Sequence, residues 1–145
     1  MANVKQVIVF RHDLLKGEHA LRKGKIAGQV AHASLGSLLK MANKTDNYID
    51  DLKFTKRFKY EYIFDTGSVL DQWLNGIFTK VVVYVPDEAA LIKLNEDLDK
   101  TDIPHALITD AGNTEFHGVP TNTCLGIGPW YSEEIDKYTG ELSLL

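Results

Sequence analysis

The chain has 145 residues, of which 44% are hydrophobic and 25% are charged. These values are ordinary for a globular protein with one well-buried core, so we predict a single domain over residues 1–145. The only cysteine, Cys124, excludes an internal disulfide and a sulfur-rich zinc site within one chain. No apolar run approaches the ~20 residues that span a bilayer, and no signal-peptide pattern is present. The composition therefore favours a cytoplasmic protein without a membrane partner.

The charges are distributed unevenly along the chain. The net charge of −4 argues against a generally basic nucleic-acid-binding protein. Residues 1–44, however, hold eight Lys and Arg against two acidic residues, which leaves −10 on the other 101 residues. A basic N-terminal third attracts anionic ligands, although this asymmetry alone is weak support for one.

A polar stripe marks the first predicted helix. An apolar, β-branched run predicts a buried strand at residues 5–10, a polar loop follows over residues 11–24, and a helix is predicted from about residue 25 to 41. Lys25, Gln29 and His32 fall within an arc of roughly 60° on that helix. The rest of its surface is apolar or small, which is typical of a buried helix. Polar groups on such a helix are costly to bury unless they face each other, water or a ligand.

The remainder of the chain alternates between strands and helices. Residues 43–78 are the least legible part: a short helix is predicted around residues 69–74, and no regular structure is predicted for residues 48–67. The later predicted elements are a strand at residues 80–85, a helix opened by Pro86, strands at residues 106–109 and 123–128, and a last helix at residues 132–138.

This order of elements predicts an α/β fold with a mainly parallel sheet between layers of helices. In such sheets, ligands collect at the carboxyl ends of the strands. Asp110 follows the strand at residues 106–109, and Gly112 permits an unusual backbone turn there. Asn113 and Thr114 add hydrogen-bonding groups to the same loop. A carboxylate at a strand end is often only a turn residue, so it gains meaning only beside the polar stripe.

Four separate segments, in order, give the chain a resemblance to the type II peptidyl-tRNA hydrolase family. The segments are residues 23–33 (KGKIAGQVAHA), 110–114 (DAGNT), 124–129 (CLGIGP) and 135–145 (IDKYTGELSLL). Trp73, Gly76 and Lys80 also match the family's approach to its second strand. The resemblance covers nearly the whole chain.

The resemblance implies a three-layer α/β/α domain with a four-stranded mixed sheet, often found as a homodimer. It implies hydrolysis of the ester that joins a peptide to tRNA, without a metal or another cofactor. The family's catalytic positions correspond to four residues here: Lys25, His32, Asp110 and Thr114. The substrate-binding positions correspond to five more: Arg22, Lys23, Gln29, Gly112 and Asn113.

Ester chemistry suggests a task for each catalytic position. Asp110, with His32, would hold and deprotonate the attacking water, and a positioned base is worth about 10²- to 10⁴-fold in rate. Lys25 would place positive charge beside the oxyanion or the terminal phosphate. Gln29 and Thr114 would orient the ester or the water. Thr114 as a covalent nucleophile is the alternative, and the sequence does not decide between the two.

The chain departs from the family pattern in the loop after the third predicted strand, in residues 48–67, and at Gly28, which replaces a usual alanine. Asn113 and Glu115 stand where the family usually has Arg and Gln, so a cation is lost and an anion gained, which predicts weaker tRNA binding near the site. Residues 48–67 resemble an insertion, interpreted as a lid, a dimer contact, an RNA-touching arm or a solvated loop. The cations of this segment are Lys53, Lys56, Arg57 and Lys59.

Two other functions are compatible with the sequence. One is a catalytically weak or inactive module of the same fold that binds tRNA or a protein through the basic helix. The other is a hydrolase of a different acyl ester. The sequence also leaves open the oligomeric state and the preference for particular tRNAs or peptides.

Overall fold

A computed structural model of the protein describes residues 3–50 and 55–145. The strands in chain order are β1 (Val4–Arg11), β2 (Asn43–Asp50), β3 (Thr55–Glu61), β4 (Lys80–Val85), β5 (His105–Asp110) and β6 (Thr121–Tyr131). The α-helices are α1 (Lys23–Leu39), α2 (Val69–Leu74), α3 (Glu88–Leu98) and α4 (Ser132–Thr139). Among the described residues, none of these helices is both long and apolar enough to cross a bilayer.

Four strands form one mixed sheet in the order β4-β1-β6-β5. The α/β class and the four-stranded mixed sheet are confirmed, but the expectation of a mainly parallel sheet is wrong. Only β1 and β4 form a parallel pair, because β6 lies between β1 and β5 and runs antiparallel to both. Two antiparallel pairs therefore outnumber the single parallel one.

Strand direction nevertheless places the predicted site residues together. Since β1 and β5 are both antiparallel to β6, they run in the same direction, and β4 shares it. The carboxyl ends of these three strands lie at one end of the sheet, where β5 ends at Asp110. The argument from strand ends thus remains valid although the neighbouring strands are not parallel.

Helices pack on both faces of this sheet. Alternate residues of β1 point to opposite faces, as expected for a strand. Val7 and Val9 join a core with residues of α3 and α4, whereas Ile8 and Phe10 join a second core with residues of α1. Both cores contain residues of β6, whose seven central residues are all buried.

Small residues bring α1 close to the sheet. A Cβ atom at Gly126 of β6 would lie 2.1 Å from the Ala33 carbonyl oxygen, and one at Gly36 would lie 3.2 Å from Ile108 Cδ1. The helix spans residues 23–39 and not 25–41, and it is not apolar and buried all round. Its buried residues are Gln29, Ala33 and Ser37, while Leu35 is 55% exposed.

A neutral polar network ties the middle of α1 to the sheet. Gln6 of β1 is fully buried, and its Nε2 donates to the carbonyl oxygens of Ser34 (2.9 Å) and Gly128 (3.2 Å). The Ser34 hydroxyl donates to Gln6 Oε1 at 2.5 Å, and the Ser37 hydroxyl donates to the Gly128 carbonyl at 2.6 Å. We refer to Gln6, Ser34, Ser37 and Gly128 as the neutral network.

The segment from residue 43 to 61 contains a second, two-stranded sheet formed by β2 and β3. No structure was predicted for residues 48–67, whereas β3 and the end of β2 lie there. The strands were missed because their mixed charged and aromatic residues do not alternate with buried positions. Lys53, a member of the predicted insertion, falls within residues 51–54 and lies outside the described residues.

Candidate active site

The site centres on an ion pair between α1 and the loop after β5. Lys25 Nζ lies 2.8 Å from Asp110 Oδ1, and the two side chains are only 16% and 13% exposed. The same ammonium donates to Thr114 Oγ1 at 2.8 Å. One side chain from the helix thus holds two groups of a loop about 85 residues later in the chain. Lys25 of the polar stripe therefore contacts the loop.

Gln29 supports the carboxylate from one turn further along α1. Its Nε2 donates to Asp110 Oδ1 at 3.0 Å, and its Oε1 accepts a 2.5 Å hydrogen bond from the Thr123 hydroxyl. Thr123 is fully buried on β6. Because the Thr123 hydroxyl donates to the amide oxygen, the amide nitrogen is the end that points towards Asp110. Thr123 therefore fixes the orientation of Gln29.

The loop itself closes around the second carboxylate oxygen. The Gly112 N–H donates to Asp110 Oδ2 at 2.8 Å, and the Gly112 carbonyl accepts from the Gly118 N–H at 2.7 Å. Gly112 has a φ of +83°, and a Cβ there would lie 2.4 Å from the Val119 carbonyl oxygen. A larger residue would both strain the backbone and collide with it. Gly112 acts through its backbone.

These donors keep Asp110 ionised. The hydrogen bond from Lys25 is the main cause that lowers the pKa of Asp110 below its usual value of 3.8, with smaller contributions from the Gly112 N–H and Gln29. Partial burial opposes this shift. At neutral pH the site therefore presents a carboxylate whose two oxygens are oriented by three donors, next to an ammonium.

His32 lies apart from this ion pair. It is exposed on α1 and makes no hydrogen bond with any residue in the described part of the chain. The structure thus brings Lys25, Gln29, Asp110, Gly112 and Thr114 together but does not join the imidazole to Asp110.

The remaining predicted positions lie around the rim of the site. Arg22 precedes α1, and its Nε lies 3.5 Å from Glu115 Oε1, while its backbone N–H donates to Glu115 Oε2 at 3.4 Å. Lys23 and Asn113 are exposed. The anion that replaces the family's usual Gln is thus paired with a cation that was predicted to bind substrate.

Sequence reasoning missed two contributors, Thr123 and Phe116. Thr123 was interpreted only as the first residue of a strand, and the Phe116 ring, 5.5 Å from Lys25 Nζ, was not considered. Neither residue carries a local signal for this role, because both act through residues far away in the chain. Within residues 3–50 and 55–145, no three metal-ligating side chains cluster closely enough to hold an ion.

Comparison with known proteins identifies the family. The model of the family peptidyl-tRNA hydrolase PTH2 matches residues 4–145. The chain is 39% identical over 141 residues to a peptidyl-tRNA hydrolase of Methanopyrus kandleri, with 97% of each chain covered. It is 37% identical to the Haloquadratum walsbyi protein of the same name, covering 97% of this chain and 99% of the relative. It is also 37% identical to the Thermococcus onnurineus protein of that name, with both chains fully covered. The chain therefore belongs to the peptidyl-tRNA hydrolase PTH2 family.

Proposed function

We propose that the protein hydrolyses peptidyl-tRNA at the site formed by α1 and the loop after β5. The observation that carries this proposal is the fixed carboxylate of Asp110, held by Lys25, Gln29 and the Gly112 N–H at one end of the sheet. The relatives named above carry the name of this activity over nearly their whole length. An ester hydrolase needs a base, an oxyanion donor and a route for the leaving-group proton, and these residues can supply the first two.

In the proposed reaction, Asp110 accepts a proton from a water molecule whose oxygen attacks the ester carbonyl. The carbonyl oxygen becomes an oxyanion, which the nearby Lys25 ammonium stabilises. Collapse of this intermediate breaks the bond between the carbonyl carbon and the ribose oxygen. The proton returns to that oxygen, which releases a free tRNA hydroxyl and the peptide acid.

Lys25 retains donor capacity for the oxyanion. An ammonium has three N–H donors, and the structure assigns two of them to Asp110 Oδ1 and Thr114 Oγ1. The third is free to reach a substrate oxygen. The mostly buried position of the pair strengthens the electrostatic effect relative to bulk water.

Thr114 suits an orienting role better than a nucleophilic one. Its oxygen accepts from Lys25, so its own hydrogen is free to donate to the ester or the water. A nucleophilic threonine needs a base that takes this hydrogen. No hydrogen bond between Thr114 and Asp110 is present among the described contacts, which supports attack by water.

We assign His32 a role that begins only when substrate is bound. Its support is its position, since it shares an arc of α1 with Lys25 and Gln29 and is open to solvent. A protonated imidazole can act as a general acid and donate a proton to the ribose oxygen, in place of the proton that Asp110 took from the water. A pH–rate profile of His32→Asn that matches the wild type would remove this assignment.

The exposed rim positions are proposed to bind the RNA. Arg22, Lys23 and Asn113 are exposed next to the site, where phosphate groups of the tRNA end would lie. Glu115 reduces the positive charge available from Arg22. Glu115→Gln is therefore expected to bind tRNA more tightly at low salt and to show a steeper salt dependence.

The test of the proposed function is hydrolysis of an N-acetyl-aminoacyl-tRNA by purified protein. We expect turnover by the wild type and its loss in Asp110→Asn and Lys25→Ala. Binding of tRNA without any turnover would instead identify an inactive RNA-binding module. Cleavage of small esters at a rate that tRNA does not improve would identify a different acyl hydrolase.

The family resemblance also implies a homodimer, which we retain as a proposal. The flank of α1 opposite the ion pair borders an apolar cavity of about 570 Å³, lined by Leu35, Leu38, Trp73, Phe78 and Leu145 among others. Leu35 is 55% and Phe78 45% exposed. A second copy that covers this surface would bury them. Light scattering of the wild type and Leu35→Lys tests this, and a wild type that stays monomeric contradicts it.

We propose that the protein acts in the cytoplasm, because its substrate, peptidyl-tRNA, is produced there during translation. Rescue of stalled peptidyl-tRNA is the corresponding cellular role. Complementation of a strain depleted of its own peptidyl-tRNA hydrolase by the wild type, but not by Asp110→Asn, would support both.

A further inference from the structure

The hairpin formed by β2 and β3 exposes aromatic rings with no core behind them. Among the described residues, its two strands pack mainly against each other. Phe58 is 67% and Tyr60 53% exposed. Side chains two positions apart on a strand share a face, so Lys56, Phe58 and Tyr60 of β3 lie on one side of the hairpin. We call this side the aromatic face.

A cation from the neighbouring strand completes the aromatic face. Lys44 is directly opposite Tyr60 in the strand pairing. Its Nζ lies 5.2 Å from the centre of the Phe58 ring and 5.8 Å from that of Tyr60. Lys44 also pairs with Asp46 at 3.3 Å. Lys56, by contrast, has no ion-pair partner within the residues that the structure describes. Aromatic rings interleaved with ammonium groups are the combination that stacks nucleobases and binds phosphates.

The hairpin has a fixed place relative to the ion pair of the site. Lys25 lies in the first turn of α1, and the helix ends 14 residues later, about 21 Å away along its axis. β2 begins four residues after α1 ends. The Tyr62 hydroxyl, just beyond β3, donates to the Leu38 carbonyl at 2.7 Å and fastens the base of the hairpin to the end of the helix. A molecule that touches both places must therefore extend well beyond the reacting ester.

We propose that the aromatic face binds the RNA body of the substrate, at a distance from the ester. Phe58 and Tyr60 stack on an unpaired nucleotide, and Lys44 and Lys56 contact the adjoining phosphates. This inference rests on the proposed function, because tRNA is the extended polyanion that the function supplies.

Charge favours RNA over a protein as the occupant. The aromatic face carries two lysines beside its rings, Lys44 and Lys56, of which Lys44 pairs with Asp46. Arg57 and Lys59 alternate with these positions on β3 and lie on its other side, where Lys59 pairs with Glu61. A protein partner would cover the rings but would not need the two lysines beside them, whereas a polyanion uses both the rings and the ammonium groups. Recognition of RNA also proceeds mainly through unpaired nucleotides that stack on aromatic side chains.

The test compares a long substrate with a short one. Steady-state kinetics are measured with N-acetyl-aminoacyl-tRNA and with the same amino acid esterified to adenosine alone, which is too short to reach the hairpin. For the double variant F58A/Y60A we expect kcat/KM with tRNA to fall by about tenfold for each ring that stacks. This fall should result from a higher KM for tRNA with an unchanged kcat. With the adenosine ester, kcat/KM should equal that of the wild type.

Charge and ring variants sharpen the same test. F58W/Y60F keeps two rings and should retain the wild-type KM. Lys56→Glu should raise KM for tRNA and reduce the salt slope by about one phosphate contact, whereas Lys100→Glu, an exposed lysine beyond α3, should do neither. Equal losses on both substrates, or a KM for tRNA within twofold of the wild type in F58A/Y60A, would overturn the proposal.

A binding measurement separates this inference from the proposed function. Filter binding of deacylated tRNA to the wild type and F58A/Y60A needs no catalysis. If the wild type hydrolyses nothing yet loses tRNA affinity on removal of the rings, only the proposed function fails. If tRNA affinity is unchanged but light scattering shows a smaller assembly, the hairpin contacts protein and the RNA assignment is wrong.

Discussion

Two polar networks lie beneath the same helix, and they differ in charge and in access to solvent. The neutral network of Gln6, Ser34, Ser37 and Gly128 joins the middle of α1 to β1 and β6 by amide, hydroxyl and carbonyl groups. The network at the start of α1 contains an ammonium and a carboxylate, and Thr114 within it is exposed. We call the latter, formed by Lys25, Gln29, Asp110, Thr114 and Thr123, the charged network.

The comparison distinguishes polar residues that support the fold from polar residues that are available for a reaction. In the neutral network, Gln6 has no exposed surface and its amide group is satisfied at both ends, so no group remains for a ligand. In the charged network, fixed donors surround a carboxylate whose rim is open. Buried polar residues alone therefore do not identify a functional site in this protein. The site is identified by ionised groups that still have hydrogen-bond donors or acceptors available for a ligand.

Asp110→Asn should give the largest effect, because it removes the base without removing the shape of the side chain. We expect kcat for peptidyl-tRNA to fall by about 10²- to 10⁴-fold, with a similar melting temperature. Asp102→Asn, an exposed carboxylate outside both networks, is the matched control and should retain full activity. A fall in the melting temperature as large as that of a core variant would assign Asp110 to structure.

Lys25→Met should reduce kcat by about 10²- to 10³-fold through loss of the oxyanion donor. It should also move the acidic limb of the pH–rate profile upwards, because the hydrogen bond from Lys25 is the main cause of the lowered pKa of Asp110. In the wild type the ionised form of Asp110 contributes to the free energy of unfolding above its usual pKa of 3.8, and this contribution is lost as pH falls through the lowered pKa. An unshifted acidic limb would show that another group controls it.

Gln6→Ala, unlike the two variants above, should lower the stability of the protein more than its catalytic rate. It leaves the Gly128 carbonyl with one donor fewer and the Ser34 hydroxyl without its acceptor, which is expected to lower the free energy of unfolding by about 1–3 kcal/mol in urea titrations. At a temperature where the variant is folded, kcat should be that of the wild type. A large loss of kcat there would mean that the two networks are coupled.

Thr123→Val should give the smallest of these effects, within the charged network. The variant loses the hydroxyl that donates to the Gln29 amide oxygen, so the amide that donates to Asp110 is held less firmly. We expect kcat to fall by about tenfold, corresponding to one hydrogen bond. Thr123→Ser restores the hydroxyl and should recover most of the activity. If valine and serine behave alike, packing and not orientation explains the role of Thr123.

Much of the fold follows from local sequence patterns. The helix at residues 69–74 and the strand at residues 80–85 have the predicted bounds, and the last helix differs by one residue at its end. These segments show clear apolar periods or helix-start signals. No local sequence pattern, however, specifies that β6 lies between β1 and β5, since the partners of a strand depend on packing across the whole sheet. The predicted parallel pairing failed for this reason.

The site could be predicted only in part for the same physical reason. The helical period predicted that Lys25 and Gln29 share one side of α1. The position of Asp110 at the end of a strand predicted that it lies near them. The orientation of Gln29 depends on Thr123, which lies 94 residues away in the chain. Likewise, the exposure of His32 depends on how α1 is rotated on the sheet, which a helical wheel does not specify.

The position of β6 has a consequence for how the protein is made. β5 pairs with β6, and β6 alone joins β5 to β1. Until residues 121–131 have emerged from the ribosome, the strand that ends at Asp110 has no partner in the sheet, and the Lys25 ammonium has no carboxylate held in front of it. An enzyme proposed to act on unfinished peptides would thus become active only after residues 121–131 of its own chain have left the ribosome.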